Sequence, residues 1–309
     1  MKIIQDKKNR MIRGLVFAMF AALLGFLLTE AVGITGSRGE VLLAKSMGYP
    51  KLAAFIEKQM ETSARETSLN DTYEAYCEKN KLNPDDDDSM VTWMNNEVDT
   101  AAKLVAECKK AEQAETNAQD DALQNEFANN SEALMDAYDK SARIAAYIWS
   151  AVIALLIGLF VALSETKNAS KVVLATLISG VMGFVSGLIA QSAYSNLMPE
   201  DSDDMFSLVV RGIGWSVIGL GVGLAIGIIR REKKEAITCV IAGFASAFIS
   251  GAVFEIMVQI VTSNAMLARG IALLLMGALI GISLNLFRGE INQDYAQDAE
   301  EDFGEIKNP

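Results

Sequence analysis

The chain has 309 residues, 51% of them hydrophobic, yet it carries 27 basic and 39 acidic side chains, a net charge of −12. Both hold only if apolar and charged residues are segregated: residues 34–142 contain 11 Lys/Arg and 22 Asp/Glu, whereas residues 144–287 are long apolar runs with short charged breaks. There is no histidine, which excludes histidine acid–base catalysis, histidine metal sites and Ser-His-Asp triads, and this acidity argues against nucleic acid as a partner.

A bilayer takes roughly 20 mostly apolar residues per helical span, and the first such segment is about 11–31. Lys2, Lys7, Lys8, Arg10 and Arg13 stand at its start. A basic start before an apolar run also fits a cleaved signal peptide, but Glu30 interrupts the place where a small-x-small cleavage site would fall, so the segment is read as a retained span.

The next stretch, 34–142, lacks strand alternation and has Pro only at 50 and 84. Leu52, Phe55, Ile56 and Met60 recur at helical spacing, and the spacing predicts an all-helical domain of two to four helices. Asn83–Ser89 reads as a break, and Asp99–Ala145 as one long helix entering the second span. Cys77 and Cys108 lie in this insert, where a disulfide and two free thiols are both open. Asp85–Asp88 supplies oxygen ligands of the kind calcium takes but lacks the EF-hand glycine and closing glutamate, so it reads as a solvated loop and no metal site is expected.

Five more spans follow, at about 144–163, 172–194, 207–229, 236–261 and 270–287, and then a tail with seven acids and one lysine from Gly289. The expected organisation is therefore 1–33 with the first span, the acidic insert 34–142, a five-helix remainder 143–288 and a polar tail 289–309. Lys167 and Lys171, and Arg230, Arg231, Lys233 and Lys234, mark alternate breaks, while the Ser195–Asp204 break is purely acidic. Lys/Arg-rich ends stay in the cytoplasm, so both termini are expected inside and 34–142 outside. Tyr147, Trp149, Tyr194, Phe206 and Trp215 then fall near the outer boundary, as interfacial anchors do.

The spans also resemble one another. Phe184-Val-Ser-Gly and Phe248-Ile-Ser-Gly are 64 residues apart, and the same register in the first span aligns Glu30, Gln191 and Glu255. Three small-residue trios then coincide: Ala18, Ala22, Gly25; Ser179, Gly183, Ser186; and Gly243, Ala247, Ser250. The inward-running spans repeat with an offset of 58, Arg211 leading to Gly219 and Gly223 and Arg269 leading to Gly277 and Gly281. The second span keeps Arg143 but not these glycines. Small residues three and four apart share a helix face and let backbones approach closely where lipid gives no hydrophobic drive. The expected fold is an all-α membrane protein of three pseudo-repeated hairpins, spans 2–3, 4–5 and 6–1, about an axis normal to the membrane.

In that fold Glu30, Gln191, Glu255, Arg143, Arg211 and Arg269 form a polar collar at the outer ends. Charges at membrane depth face the bundle interior in pairs, and arginine can grip a carboxylate at two points. The collar is read either as a structural ring fixing helix register or as an ion site at a pore mouth.

The Arg211–Leu286 stretch, with its R-x-x-x-W-x-x-x-G-x-x-x-G opening and its Phe254-Glu255 ending, resembles a glycine-rich multi-spanning module of uncharacterised bacterial membrane proteins, some with forkhead-associated domains. The Leu27-Leu-Thr-Glu30 end of the first span is similar too. The resemblance covers about half the chain and implies architecture and bacterial origin, but no activity. This chain departs from it in its acidic insert and in lacking a forkhead-associated domain.

No HExxH, GxSxG or P-loop pattern occurs, so no catalytic or cofactor-binding residues are expected. The reading is a non-enzymatic scaffold or sensor displaying the acidic insert; the alternative is an ion or small-solute channel or transporter using the collar. The expected partners are the bilayer and either further copies of the chain or another membrane or extracytoplasmic protein.

Overall fold

The computed structural model describes residues 2–197, 204–230, 232–260 and 265–286. Most of the acidic break after the third span, the break after the fifth, Arg231 and the tail lie outside them, as do the side chains of Tyr194 and Gln259. Ten helices and no strand occur among the described residues: α1 (Lys2–Val32), α2 (Gly36–Ser46), α3 (Pro50–Asn80), α4 (Asp87–Asn96), α5 (Val98–Asn125), α6 (Ser131–Glu165), α7 (Ala169–Leu197), α8 (Asp204–Arg230), α9 (Lys233–Ile260) and α10 (Ala265–Leu286). Six of them, α1 and α6–α10, contain stretches long and apolar enough to cross a membrane, which points to a multi-pass membrane protein.

The chain divides into two compact units, one of residues 1–32 and 146–309, the other of 33–145. In the first, α1 packs on α10, α10 on α9, α9 on α8 and α8 on α7. Gly183 of α7 lies against Ala154 and Ser150 of α6, and Gly25 of α1 against Ile153 of α6, so the six helices touch in cyclic order. Three of them turn a ladder of branched or long side chains inward at steps of four: Ile153 and Ile157 on α6; Ile218, Val222 and Ile226 on α8; Met276, Ile280 and Leu284 on α10. Each is 1% exposed or less.

By contrast α7 exposes Val173, Leu177, Val181 and Phe184, and α9 exposes Ile237, Ile241 and Phe244. Hydrocarbon is as apolar as leucine, so such faces carry no penalty in a bilayer. The inward share differs accordingly: 67% of the α8 span is buried against 28% of α1. Buried Ser150, Ser246 and Ser250 satisfy their hydroxyls by donating back along their own helices, to Ala146, Ala242 and Ser246, whereas Ser179 Oγ is buried without a partner.

The second unit builds a water-type core. Val41 and Ala44 of α2, Leu52, Phe55 and Ile56 of α3, Ala122 of α5, Phe127 and Leu134 form one cluster. Tyr73, Cys77, Trp93 and Ala101 form another. Pro50 opens α3 at a position where no backbone N–H is needed, and Lys81 closes it in the left-handed region (φ 58). Leu82 then donates its N–H back to Cys77 O at 2.9 Å, satisfying a carbonyl that the helix end would leave free.

The long helix expected over Asp99–Ala145 is broken. Helix α5 ends at Asn125 and α6 begins at Ser131, with Ala128 and Asn129 at positive φ between them. The break has a use: the Glu126 carboxylate accepts the backbone N–H groups of Lys51 (2.6 Å) and Leu52 (2.9 Å), capping the start of α3.

Candidate functional site

The residues at the ends of α8, α9, α10 and α1 come together as two ion pairs. Arg211, on the second turn of α8, directs its Nε to Glu255 Oε2 near the end of α9 at 3.1 Å. Ser207, one turn earlier, donates to the other carboxylate oxygen at 3.1 Å. The guanidinium also sits 5.4 Å above the Phe254 ring, and that ring stacks on Trp215 at 5.5 Å. Arg269 of α10 meets Glu30 of α1 in the same way, Nε at 3.1 Å and Nη2 at 3.0 Å from Oε1. The carboxylates are 14% and 10% exposed, so each buried charge has its counter-charge and a hydrogen bond, as burial demands.

Arg143, expected in the same collar, instead pairs with Asp139 of its own helix at 3.7 Å and is half exposed. A Cβ on Gly187 would meet the Ala146 carbonyl, and one on Gly251 the Arg211 carbonyl. Trp215, expected as an interfacial anchor, is 6% exposed and packs between Trp149 (5.8 Å) and Phe254.

Small residues carry the helix contacts. Gly219 lies against Gly243 O and Ala247, and Gly223 against Cys239 O, so closely that a Cβ on either would overlap backbone. A Cβ on Gly277 would stand 2.6 Å from Ala18 O and 2.9 Å from Ala22 Cβ, and one on Gly281 2.6 Å from Gly14 O. In α6 and α7 the partners are Gly158 with Ser179 and Gly183 with Ala154 and Ser150. The second span thus has a contact glycine, Gly158, which the sequence comparison passed over. Ser186 adds a hydrogen bond across helices to Gly214 O.

A third ion pair, missed in the sequence, closes the other end of the bundle. Arg230 at the end of α8 gives Nη2 to Glu165 Oε1 at 2.7 Å and Nε to Oε2 at 3.3 Å, with Nη1 3.4 Å from Cys239 Sγ. The side chains are 4% and 2% exposed. Both residues sit in charged breaks, where sequence reasoning sees orientation signals rather than partners. Nothing in their spacing links positions 65 residues apart.

In the second unit Cys77 and Cys108 are both buried free thiols; no disulfide joins them. The bridges Lys51–Asp121 and Arg65–Glu107 set an antiparallel α3/α5 register that puts Cys108 level with about residue 64. At 1.5 Å per residue that is roughly 20 Å from Cys77, far beyond the reach of a disulfide.

The Asp85–Asp88 run is used locally. The Asp86 carboxylate accepts Asp88 N–H at 3.2 Å and caps α4, where negative charge suits the helix N-terminus. Among the described residues no group of three or more Cys, Asp and Glu is placed to hold a metal ion.

Two titratable groups of the insert depart from their ordinary ranges. Burial pushes the Glu40 carboxyl upward, opposed in part by the Tyr138 hydroxyl, and Glu40 Oε2 has no hydrogen-bond partner. Tyr138, which donates to Gln59 Oε1 at 3.2 Å, is pushed up to about 12 by burial and then by the Glu40 charge. An open groove of about 410 Å³ between α3 and α5 is lined by Thr72, Asp99, Thr100, Lys103, Leu104 and Glu107.

Comparison of the chain with family models, with curated proteins and with solved structures finds no match.

Proposed function

We propose that the chain is a non-enzymatic membrane scaffold or sensor, in which a closed six-helix bundle holds an acidic helical domain on the outer side of the membrane, with both termini in the cytoplasm. The observation that carries this reading is the filled interior. Ile153, Ile157, Ile218, Val222, Ile226, Met276, Ile280 and Leu284 pack as one cluster with no more than 1% exposure. A transport path needs polar groups along its length, whereas these positions offer only hydrocarbon and a thioether.

The layout we assign to the bundle is three hairpins, α6–α7, α8–α9 and α10–α1, about a pseudo-threefold axis. Its support is the matching of contacts. Residues 58 apart on α8 and α10 meet residues 225 apart on α9 and α1: Gly219 with Gly243 and Ala247 corresponds to Gly277 with Ala18 and Ala22. Gly223 with Cys239 and Val240 corresponds likewise to Gly281 with Gly14 and Leu15. Arg211–Glu255 corresponds to Arg269–Glu30. The hairpin α6–α7 is the diverged member, with Ala146 and Gln191 where the others hold an ion pair. On this reading the charges set helix register, and the similarity to the glycine-rich bacterial module stays with Arg211–Leu286 and the end of the first span.

The test is ion flux through liposomes holding purified protein, with Glu255→Gln and Arg211→Gln variants. The expected result is flux no greater than in empty liposomes, with both variants less thermally stable. Conductance that changes in either variant while the protein stays assembled would overturn the scaffold in favour of a channel.

A further inference from the structure

The contacts of the bundle bring one end of each of its helices together. Gly14 of α1 lies against Asn285 and Gly281 of α10, and Gly227 of α8 against Ala236 of α9. Arg13 donates to Ser164 O at the end of α6, where Glu165 meets Arg230 of α8, and α7 starts four residues later. Residues 1–13, 165–171 and 230–235 supply this end, and they hold eleven Lys/Arg against four Asp/Glu. The two signs are placed differently. Of the acids whose side chains are described, that of Glu165 is 2% exposed and Glu235 is 5% exposed, and Glu232 Oε2 is enclosed. Lys8, Arg10, Lys167 and Lys233 are exposed, and none of them is ion-paired among the described residues. The rim thus turns its acids inward and its cations outward.

The chain itself carries an anionic segment to this place. Helix α10 is described to Leu286, one residue beyond the Asn285 that Gly14 touches. Residues 287–309, which follow, hold seven Asp/Glu against Arg288 and Lys307. A stretch of that length reaches up to roughly 75 Å when extended, several times the about 8–10 Å between neighbouring helices. Tethering at such a distance gives an effective concentration on the order of millimolar. Exposed ion pairs are weak one at a time and screened by salt, so several must act together.

An outward cationic rim attracts any anion within reach, and in a bilayer its rival occupants are the acidic tail and anionic lipid headgroups. We propose that residues 289–309 dock on the rim of their own chain, with the carboxylates of the Asp298–Glu305 run against Lys8, Arg10, Lys167 and Lys233, and that they thereby keep anionic headgroups off these cations. The tail has the advantage because it is already tethered beside the rim. This goes beyond the reading of the bundle as a scaffold and does not depend on it, since a conducting bundle would carry the same rim and tail.

The probe is a carbodiimide, which joins a carboxylate to a lysine amine that it touches, applied to the full chain in phosphatidylcholine nanodiscs and read by mass spectrometry. Links from the Asp298–Glu305 run to Lys8, Lys167 or Lys233 are expected, and they should fall away at ~1 M salt, where the Debye length is about 3 Å. Isotope-labelled and unlabelled chains mixed before reconstitution should show these links within one chain. A variant with Asp298→Asn, Glu300→Gln, Glu301→Gln, Asp302→Asn and Glu305→Gln should retain more phosphatidylglycerol than the parent when purified from a phosphatidylcholine and phosphatidylglycerol mixture, by about fivefold for one uncovered cation. Adding Lys8→Gln, Lys167→Gln and Lys233→Gln should return retention to the parent's level. A monodisperse peak on size exclusion separates lost contact from lost fold. No links to the rim lysines, links unchanged in high salt, links only between labelled and unlabelled chains, or equal phosphatidylglycerol retention by the parent and the folded tail variant would each overturn the inference.

Discussion

The two units of this chain solve the same packing problem with opposite materials. The insert buries large side chains, Trp93, Leu52, Ile56 and Leu134, each 1% exposed or less, because in water the area removed from solvent drives assembly. The bundle also buries large side chains on α6, α8 and α10, but it leaves those of α1, α7 and α9 largely outside and brings its helices together over Gly219, Gly223, Gly243, Gly277 and Gly281. In lipid the gain comes from close backbone contact. Their charges divide the same way: the insert's bridges, such as Lys45–Glu57, are about half exposed, whereas Arg230–Glu165 is sealed. One composition rule therefore cannot serve both halves. A glycine is a vital contact in the bundle, and a charge is a minor surface feature in the insert.

The sharpest way to break this contrast is to fill a bundle notch. Gly219→Leu should abolish the folded protein, read as loss of the monodisperse peak on size exclusion in detergent, because its side chain would have to occupy the Gly243 backbone. Gly180→Ala, whose Cβ would meet only Leu155 at 3.5 Å, should leave that peak unchanged. Equal tolerance of both would mean that close approach does not hold the bundle.

A second, smaller effect is expected at the sealed ion pair. Arg230→Ala strands the Glu165 carboxylate, and removing one member of a buried pair costs about 3–5 kcal/mol, so the melting temperature should fall well below that of Lys45→Ala. The double variant Arg230→Met, Glu165→Leu should recover most of the loss if apolar packing is what the site otherwise needs. No recovery would show that the pair specifies register as well as neutralising charge.

The smallest effect concerns the insert. Glu40 is raised by burial, so its contribution to stability is fully present below the ordinary carboxylate range and is lost as pH rises through its elevated value. Glu40→Gln should therefore stabilise the fold near neutral pH by about 1 kcal/mol for relieving one poorly paired buried group, seen as a higher melting temperature, with the gain shrinking toward pH 4. Thermal unfolding followed by circular dichroism at several pH values checks both the sign and the trend. A gain that is constant with pH would point to packing rather than to titration.

Some of this molecule was legible residue by residue. The six apolar helices follow from run length, and the helical insert from the spacing of Leu52, Phe55, Ile56 and Met60. The alignment of the spans named Arg211, Glu255, Arg269 and Glu30 among the collar residues, and the structure pairs the first two and the last two. It failed at Arg143, whose side chain lies beside Asp139 instead, and at Trp215, whose ring reads as an interfacial anchor although its neighbours bury it. The helix break at Glu126–Asn130 interrupts a stretch rich in helix formers, and the use it serves, the capping of α3 by Glu126, is a contact 75 residues away.

Helical character and the fitness of six helices for a bilayer are readable in the chain, because run length and periodicity are local properties of the backbone and of transfer from water. Which helices touch and which charges meet is set at long range. Arg269 reaches Glu30 across 239 positions and Arg230 reaches Glu165 across 65. Such encounters depend on the depth and rotation of whole helices, which side-chain volumes at many contacts fix together and no short stretch of residues encodes.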